Sequence, residues 1–408
     1  MTVRSEVILD GFVQGLFGAH TDRHNPATSE LPVSETRLQL RLAHFGNSAE
    51  FFGRLDFVWD GADSADYDWE LRETYMKFRL GSKLDVKVGR QILTWGTGDL
   101  VFINDQFTKD YLSFFVGRDD QYLKAPQNAL RVEYYNPLGD LAVVWTPRFE
   151  PNRLPTGRRL SYFNPIVGDI TGEVDRFTFR TPEPLFRNGE VAARLRRQVN
   201  NFSLAAYYYH GFYKNPLGIE SVVVAGDSLI AGVAVHPRLN VYGASARGAT
   251  IGGVLWMEAG YYDSRDNPDG INGNLPNSSL RGLLGYERQL ATNLTANLQW
   301  QLDYLQDYDS FKDNRSGDGV HLRGEVTQMV TSRVTSLLSS ELLTVSLFMF
   351  YSPSERDFYI RPRVGYKHSD ELTLAMGANL LGGDHDNTEF GQLRKNDNLF
   401  IKLTYGFQ

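Results

Sequence analysis

The sequence predicts an all-β protein, a transmembrane antiparallel β-barrel of eighteen strands, with sixteen as the alternative count. Two observations predict it. Apolar and polar residues alternate along unusually long stretches, and short turns alternate with long connections along the chain. Length alone would suggest two or three domains, but this pattern predicts that residues 1–408 form a single barrel domain.

The alternation is clearest in the stretch 294–304, where Leu, Ala, Leu, Trp, Leu and Tyr occupy one parity and Thr, Asn, Gln, Gln and Asp the other. The stretches 36–42 and 399–407 repeat it. This pattern is typical of a strand with one apolar and one polar face. Strands of soluble proteins average about five or six residues, whereas a tilted strand needs about ten to cross a bilayer. The lengths therefore favour a membrane barrel over a soluble sandwich.

The connections predict how the strands are arranged. We expect strands near residues 5–19, 33–46, 50–59, 67–80, 83–95, 127–136, 138–149, 188–199, 201–213, 227–240, 250–262, 279–289, 293–307, 318–332, 339–351, 356–368, 370–382 and 395–407. Short turns such as 46–49 and 81–83 follow even-numbered strands, and longer loops follow odd-numbered ones. Short periplasmic turns and long extracellular loops characterise outer-membrane barrels, and this order places both termini in the periplasm. His236-Pro237 interrupts the strand at 227–240, hence the alternative of sixteen.

The composition excludes several classes of protein. The chain has no cysteine, which excludes disulfides, thiolate metal sites and a cysteine nucleophile. A net charge of −7 disfavours nucleic acid as the main partner. Aromatic residues near strand ends suit two interfacial belts: Trp59, Trp69, Trp145, Tyr261, Trp300, Tyr304 and Tyr405. The sequence opens without a basic and then apolar leader, so we expect a signal peptide to be missing from it.

Three features resemble known outer-membrane proteins. The last strand, 399–407, resembles their C-terminal assembly signal, although Gln408 follows the final aromatic residue. The stretch 88–96, Val-Gly-Arg-Gln-Ile-Leu-Thr-Trp-Gly, resembles the G-R-Q-x-x-x-[WY]-G strand of the alginate-export porin family and of related uncharacterised proteobacterial outer-membrane proteins. The strand count is similar to that of the alginate exporter and, in architecture only, to that of the substrate-specific carboxylate channels. The resemblance implies a porin in the outer membrane of a Gram-negative bacterium.

Basic residues outnumber acidic ones on the polar parity, which should face the lumen. The predicted pore-lining residues are Arg37, Arg41, Arg54, Arg131, Arg194, Arg196, Arg281, Arg323, Arg361 and Arg363. Excess arginine in a lumen favours anionic solutes. The alternative is that arginine and glutamate pair across strands as scaffolding of the wall. The direction of Arg90 stays open, because its parity points to lipid unless a bulge near Gly89 turns it.

Two long loops are predicted to fill part of the lumen. Loop 96–126 is the predicted constriction, and its candidate residues are Asp99, Asp105, Asp110, Asp119, Asp120, Phe114 and Phe115. So many aromatic residues favour packing inward, with an ordered external lid as the alternative. Loop 150–187 is rich in proline and basic near its start, which suits a second plug or cap.

The sequence therefore predicts a channel for passive diffusion of small anionic or polar solutes. An enzyme is not expected, because the eight histidines show no ligand spacing. One alternative is a barrel that sheathes a partner protein such as a multihaem cytochrome in an electron conduit, and the other is an outer-membrane enzyme. The expected partners are outer-membrane lipid, lipopolysaccharide, solutes and further copies of the chain. No cofactor is expected, although residues 266–272 and 313–319 carry oxygen ligands that would suit Ca²⁺, with simple turn chemistry as the alternative.

Overall fold

The computed structural model describes residues 6–63, 66–165, 167–173, 177–184, 186–225, 228–314 and 320–408. These residues form a closed antiparallel barrel of eighteen strands, which confirms the predicted fold. The barrel strands are β1 Glu6–His20, β2 Val33–Phe45, β3 Ala49–Asp60, β4 Asp66–Leu80, β5 Leu84–Ile92, β6 Pro126–Asn136, β7 Gly139–Thr146, β8 Glu190–Val199, β9 Phe202–Phe212, β10 Arg238–Thr250, β11 Gly253–Ser264, β12 Ser279–Ala291, β13 Leu294–Leu305, β14 Val326–Leu338, β15 Leu343–Ser352, β16 Asp357–Lys367, β17 Leu372–Gly383 and β18 Asn398–Phe407.

The barrel closes because its first strand pairs with its last. Gly11 of β1 lies opposite Phe407 of β18, and the ladder continues to His20 opposite Asn398. Every other barrel strand pairs with its neighbours in chain order. Closure gives the backbone groups of both terminal strands a hydrogen-bonding partner, as a wall in lipid requires.

Short turns follow the even-numbered strands and longer connections mostly follow the odd-numbered ones, as predicted. Two of the turns use residues with positive φ, Asn200 at 51° and Gly252 at 73°, which Asn and Gly adopt at little cost. We call the side with the short turns the turn end and the opposite side the loop end. The start of β1 and the end of β18 both lie at the turn end.

The loops contain short elements of their own. Helix α1 spans Tyr111–Phe115, in the connection after β5, and α2 spans Tyr308–Asn314, after β13. Within the described ranges, no helix is both long and apolar enough to cross a membrane.

Two of the predicted strands are wrong in position. The tenth barrel strand is Arg238–Thr250 rather than 227–240. Residues Gly218–Ala225 and Ser228–Val235 instead pair within a loop, beside a third short strand. Pro237 explains the break, because proline has no N–H to donate to a sheet ladder. The strand predicted at 318–332 is observed at Val326–Leu338. Its first two predicted residues, 318 and 319, lie outside the described residues.

The outward parity of the strands is apolar and exposed. Leu298 and Leu399, for example, are 57% and 56% exposed. Such a band suits contact with lipid, not water. Of the predicted belt residues, Trp69, Trp145, Trp300, Tyr304 and Tyr405 are exposed on this surface, and Trp59 and Tyr261 are half-buried.

The buried apolar cluster joins the barrel wall to the connection 93–125 between β5 and β6, which we call the inner segment. The inner segment contributes Leu93, Trp95, Val101, Ile103, Phe107, Phe114, Phe115, Val116 and Leu123. The strands contribute residues of the opposite parity to the lipid-facing band, among them Trp256, Phe350, Tyr359 and Phe400. The apolar core therefore lies between the inner segment and the wall.

Candidate functional site

Side chains and backbone of the inner segment form hydrogen bonds with strands around the whole barrel. They reach β2, β4, β6, β10, β11, β13, β14, β16 and β18. The bonds come from the parity of each strand that is turned away from the exposed apolar band. This arrangement fixes which charged groups of the wall meet which groups of the segment.

One buried carboxylate holds the start of the inner segment. Glu258 of β11 is 4% exposed. Its Oε1 accepts hydrogen bonds from Gly98 N at 2.9 Å, from Thr97 Oγ1 at 2.9 Å and from Thr97 N. Its Oε2 accepts bonds from Asn104 Nδ2 at 2.9 Å and Asn104 N at 3.2 Å. Gly96 makes this approach feasible, because it has a φ of 82° and a Cβ there would lie 3.0 Å from Oε1.

Two arginines of the wall bind the predicted constriction residues Asp99 and Asp120. Arg361 Nη1 donates to Asp120 Oδ1 at 2.9 Å. Arg333 bridges both aspartates, with Nε 2.8 Å from Asp99 Oδ2 and Nη2 3.3 Å from Asp120 Oδ2. These charge-assisted bonds join β14 and β16 to two separate parts of the inner segment.

Asp119 binds the neighbouring basic groups. Arg363 Nη1 lies 3.2 Å from Asp119 Oδ1, and the Lys402 ammonium donates to the same oxygen. Burial alone would raise the pKa of Asp119, but Lys402 and Arg363 outweigh it and hold the pKa below its usual value. Burial acts on the pKa of Asp120 in the same way, and Arg361 with Arg333 lowers it overall. We call the basic set Arg333, Arg361, Arg363 and Lys402 the arginine cluster.

A second group of basic side chains lies on β5, β6, β8 and β10, and we call it the basic wall: Lys87, Arg131, Arg194, Arg196 and Arg247. Within the described residues, its ion pairs involve two carboxylates. Arg131 Nη2 donates to Glu133 at 2.6 Å and Arg194 lies 4.0 Å from the same group, while Arg196 donates to Asp140 at 3.1 Å. The basic wall therefore carries more positive than negative charge.

The other two residues of the basic wall, Lys87 and Arg247, contact aromatic rings and a backbone carbonyl instead of carboxylates in the described part of the chain. The Lys87 ammonium lies 3.5 Å from the centre of the Tyr75 ring. Arg247 donates to Thr97 O at 3.2 Å and its guanidinium lies 4.8 Å from the Trp256 ring. Cation–π contacts of this kind stabilise a cation without neutralising its charge.

Three of the predicted pore-lining arginines pair with acids of their own or of neighbouring strands. Arg37, which is 4% exposed, donates to Asp56 at 2.5 Å and to Glu35 at 3.1 Å. Arg41 donates to Asp10 at 2.6 Å, and Arg54 lies 3.6 Å from Glu73. These pairs match the scaffolding alternative, and none of their acids is a partner of the arginine cluster.

Two of the predicted constriction aspartates are used inside the inner segment. Asp105 pairs with buried Lys109 at 2.9 Å. Burial lowers the pKa of Lys109, although Asp105 opposes that shift. Asp110 caps helix α1 by accepting the Ser113 N–H at 2.8 Å.

The two predicted aromatic residues of the constriction pack against the wall. Phe114 and Phe115 both lie 5.4 Å, between ring centres, from Tyr359 of β16. The Tyr359 hydroxyl donates to Asn379 Oδ1 at 2.6 Å and also lies 3.2 Å from Phe114 O. These contacts place helix α1 against β16, and Tyr359 in turn bonds to β17.

The remaining predicted arginines, Arg281 and Arg323, line a cavity of about 500 Å³ at the loop end. Both lie near Asp303, Arg281 at 3.2 Å and Arg323 at 3.7 Å. We call this space the loop-end cavity. Its charged lining is Arg281, Asp303, Arg323, Glu355, Asp357 and Glu389.

The predicted second plug, 150–187, packs near this cavity. Arg153 Nη1 lies 3.3 Å from Asp110, and Arg159 donates to Asp60 of β3. Leu154 and Tyr162 line a cavity of about 350 Å³ that shares Glu389 with the loop-end cavity. Residues 166, 174–176 and 185 of this loop lie outside the described residues.

Arg90 is half-buried, and its Nε donates to Leu71 O at 2.9 Å while Nη1 lies 3.5 Å from Glu150. The register shift nearby is in the pairing of β3 with β4, where Arg54 and Leu55 lie opposite Glu73 and Leu71. The bulge is thus in the neighbouring strand rather than near Gly89.

Of the two loops with Ca²⁺-like spacing, residues 266–272 lie within the described residues. Asp266 accepts a bond from Arg238 Nε at 2.6 Å, and Asn267 Nδ2 donates to Asn277 at 2.9 Å, so both side chains are engaged in loop contacts. In the second loop, residues 315–319 lie outside the described residues. Across the described ranges, no three His, Asp or Glu side chains are grouped so as to hold a metal ion.

Three residues of the site were not predicted from the sequence: Arg247, Glu258 and Arg333. Arg333 lies one residue beyond the predicted strand 318–332, and Arg247 lies between the predicted strands 227–240 and 250–262. Because the strand boundaries were displaced, neither arginine was assigned to a strand. Glu258 had a usable signal, because it is the acidic residue within the otherwise apolar or aromatic stretch 254–262.

No family model and no curated protein matches the chain. Among solved structures, OccD3 (OpdP) of Pseudomonas aeruginosa is 10% identical, with 98% of this chain and 91% of that chain covered and a TM-score of 0.56. OccAB3 of Acinetobacter baumannii is 9% identical, with 98% and 99% covered and a TM-score of 0.55. The outer membrane channel DcaP of Acinetobacter baumannii is 12% identical, with 100% and 99% covered and a TM-score of 0.47. The likeness to OccD3 and OccAB3 shows a shared barrel fold.

Proposed function

We propose that this protein is an outer-membrane channel that lets small anionic or polar solutes diffuse passively, with the inner segment folded into the lumen as its constriction. The observation that carries the proposal is the basic wall, which holds five basic side chains on the parity away from lipid and forms ion pairs, within the described residues, with two carboxylates. A basic lining raises the local concentration of anions and lowers that of cations.

The inner segment supports the proposal through its contacts. A loop that bonds to strands from β2 to β18 suits a position across the lumen, where it would narrow the path. Its aspartates at 99, 119 and 120 form ion pairs with the arginine cluster, which hold the segment against β14, β16 and β18.

The alternative of a sheath around a partner protein such as a multihaem cytochrome is less well supported. A sheath needs a wide lumen, and the many bonds of the inner segment argue against one. In our proposal the surroundings are outer-membrane lipid and lipopolysaccharide, with the turn end in the periplasm. The resemblance to the alginate-export porin family remains a hypothesis about the solute.

Liposome swelling tests the proposal. Proteoliposomes are diluted into iso-osmotic gluconate or glucosamine, which have similar size and opposite charge, or into a neutral sugar of that size. We expect gluconate to enter fastest and glucosamine slowest. No swelling above that of protein-free liposomes would contradict the channel, and faster entry of glucosamine would contradict the anion preference.

A further inference from the structure

The loop-end cavity has the size and lining of a small-molecule site. Its volume is about 500 Å³, which lies within the usual range of roughly 300–1,000 Å³ for such sites. Its lining includes five phenylalanines, three from the inner segment and two from a strand and a loop: Phe102, Phe114, Phe115, Phe350 and Phe390. The same lining also contains charged side chains. This combination suits a ligand with an apolar body and one polar end.

The charges of the cavity do not balance. Four carboxylates line it, from Asp303, Glu355, Asp357 and Glu389, against the two guanidinium groups of Arg281 and Arg323. Both arginines lie beside the same acid, Asp303. Three carboxylates are therefore left without an arginine partner in the described part of the cavity.

Two of these carboxylates have oxygen atoms without a hydrogen bond. Asp357 is 0% exposed, and its Oδ2 accepts the Phe390 N–H at 2.8 Å. The Thr388 hydroxyl and the Gly391 N–H also lie beside its carboxylate, but its Oδ1 has no partner among the described residues in good hydrogen-bond geometry. Glu355 Oε2 lies 2.9 Å from His321 Nε2, and Glu355 Oε1 likewise has no hydrogen-bond partner there. Buried acceptors without a donor are costly, so a ligand that donates hydrogen bonds would be favoured.

Glu389 stands where the cavity meets its neighbour, because it lines both spaces. Its side chain is open to the cavity and forms no ion pair within the described ranges. Desolvation by the surrounding protein, and then the charge of Asp357, raise the pKa of Glu389 to about 7. A bound cation would remove the repulsion between the two carboxylates and keep both charged.

We propose that the loop-end cavity binds an organic cation with an apolar body, such as a protonated cyclic amine, with its ammonium group at Glu389 and Asp357. The ammonium supplies the missing hydrogen-bond donors, and the phenylalanine rings hold the apolar body while their faces attract the positive charge. This binding does not depend on the proposed transport, because it requires only that the cavity be reached from the loop end.

Calorimetric titration of the purified protein in a neutral detergent tests the proposal. The probes are cyclohexylammonium, cyclohexanecarboxylate and methylammonium, which separate the effects of charge and apolar body. At pH 8 we expect saturable binding of cyclohexylammonium at one site and no measurable binding of the other two. Equal binding of cyclohexanecarboxylate, or no binding of cyclohexylammonium, would overturn the proposal.

The variant Glu389→Gln should weaken binding of cyclohexylammonium roughly tenfold or more, because it removes the more accessible charge. Glu30→Gln, a change of an exposed glutamate in the connection between β1 and β2, is the matched control and should bind as the wild type does. Because Glu389 forms no ion pair within the described ranges, the variant should unfold near the wild-type temperature. Undiminished binding to Glu389→Gln would overturn the assignment.

Lowering the pH should act in the same direction as the variant. The groups around Glu389 are Asp357, Arg281, Asp303 and Tyr111. Arg323 and Glu355 also line the cavity, and His321 contacts Glu355 from outside the lining. Protonation of Glu389 below about pH 7 reduces the negative charge, so affinity should fall from pH 8 to pH 5.5. Affinity independent of pH would contradict the role of Glu389. Conductance is recorded in a separate experiment without amine. A lack of conductance there would contradict the proposed channel but not the proposed amine site.

Discussion

The loop-end cavity and the arginine cluster both include residues of the inner segment, but their balance of positive and negative charge is opposite. In the cavity, two arginines share Asp303 and three carboxylates lack an arginine partner among the described residues. In the cluster, four basic side chains meet three aspartates, and the basic wall adds further positive charge. The net charge of the chain is −7, but positive and negative side chains are concentrated in different regions. In our account, the local excess of one charge rather than the total charge decides which solute each region favours.

Removing Glu258, which holds the start of the inner segment, should have the largest effect, because both the cavity and the cluster depend on the position of that segment. Glu258→Ala leaves the donors of Thr97, Gly98 and Asn104 without their acceptor, at a cost of about 3 kcal/mol or more. We expect the segment to detach and single-channel conductance in planar bilayers to rise several-fold. Glu258→Gln keeps one acceptor oxygen and should change conductance less. Wild-type conductance in Glu258→Ala would show that the segment does not limit the path.

Reversing the charge of the cluster should change selectivity. In the double variant Arg361→Glu and Arg363→Glu, two acids would face Asp119 and Asp120 in place of two bases. We expect the reversal potential in a KCl gradient to move towards that of a cation-selective pore. Arg187→Glu, on an exposed loop, is the control and should leave the potential unchanged. An unchanged potential in the double variant would mean that these side chains lie off the ion path.

Acid should loosen the contact between the segment and the cluster. The pKa values of Asp119 and Asp120 are lowered below 3.8, so their ion pairs stabilise the fold above that pH and are lost as pH falls through the lowered values. We expect the unfolding temperature to fall below about pH 4, and to fall less in Asp120→Asn. A variant with the same acid sensitivity as the wild type would place the cause elsewhere.

The smallest effect is expected at the packing of α1. Tyr359→Phe loses the hydroxyl bonds to Asn379 and Phe114 but keeps the ring. The free energy of unfolding should fall by about 1 kcal/mol, with conductance unchanged. Circular dichroism during heating measures the first quantity and bilayer recording the second. A clear change in conductance would show that α1 needs this hydroxyl to hold the shape of the path.

The fold was predictable because strand parity is a local property. Alternation over 294–304 and 399–407 is visible without any knowledge of tertiary contacts, and the strand count follows from the turns. Strand boundaries were less secure where a proline intervenes, as at Pro237, or where serine and threonine weaken the contrast between faces, as around Ser332 and Ser336. Those two errors hid Arg247 and Arg333.

The site was only partly predictable because its pairs join distant parts of the chain. Asp120 and Arg361 were both proposed as site residues, but their contact spans 241 positions and no spacing rule indicates it. The separate uses of Asp105, beside Lys109, and Asp110, at the start of α1, depend on how the inner segment folds. Glu389 gave no signal, because its setting comes from strands and loops that meet only in three dimensions.

The central claim is that the inner segment narrows an open path lined by excess positive charge. Single-channel recording of the wild-type protein in planar bilayers, with a KCl gradient, tests it most directly. We predict discrete conductance steps whose reversal potential has the sign of chloride preference. Absence of steps, or a reversal potential with the sign of potassium preference, would contradict the account.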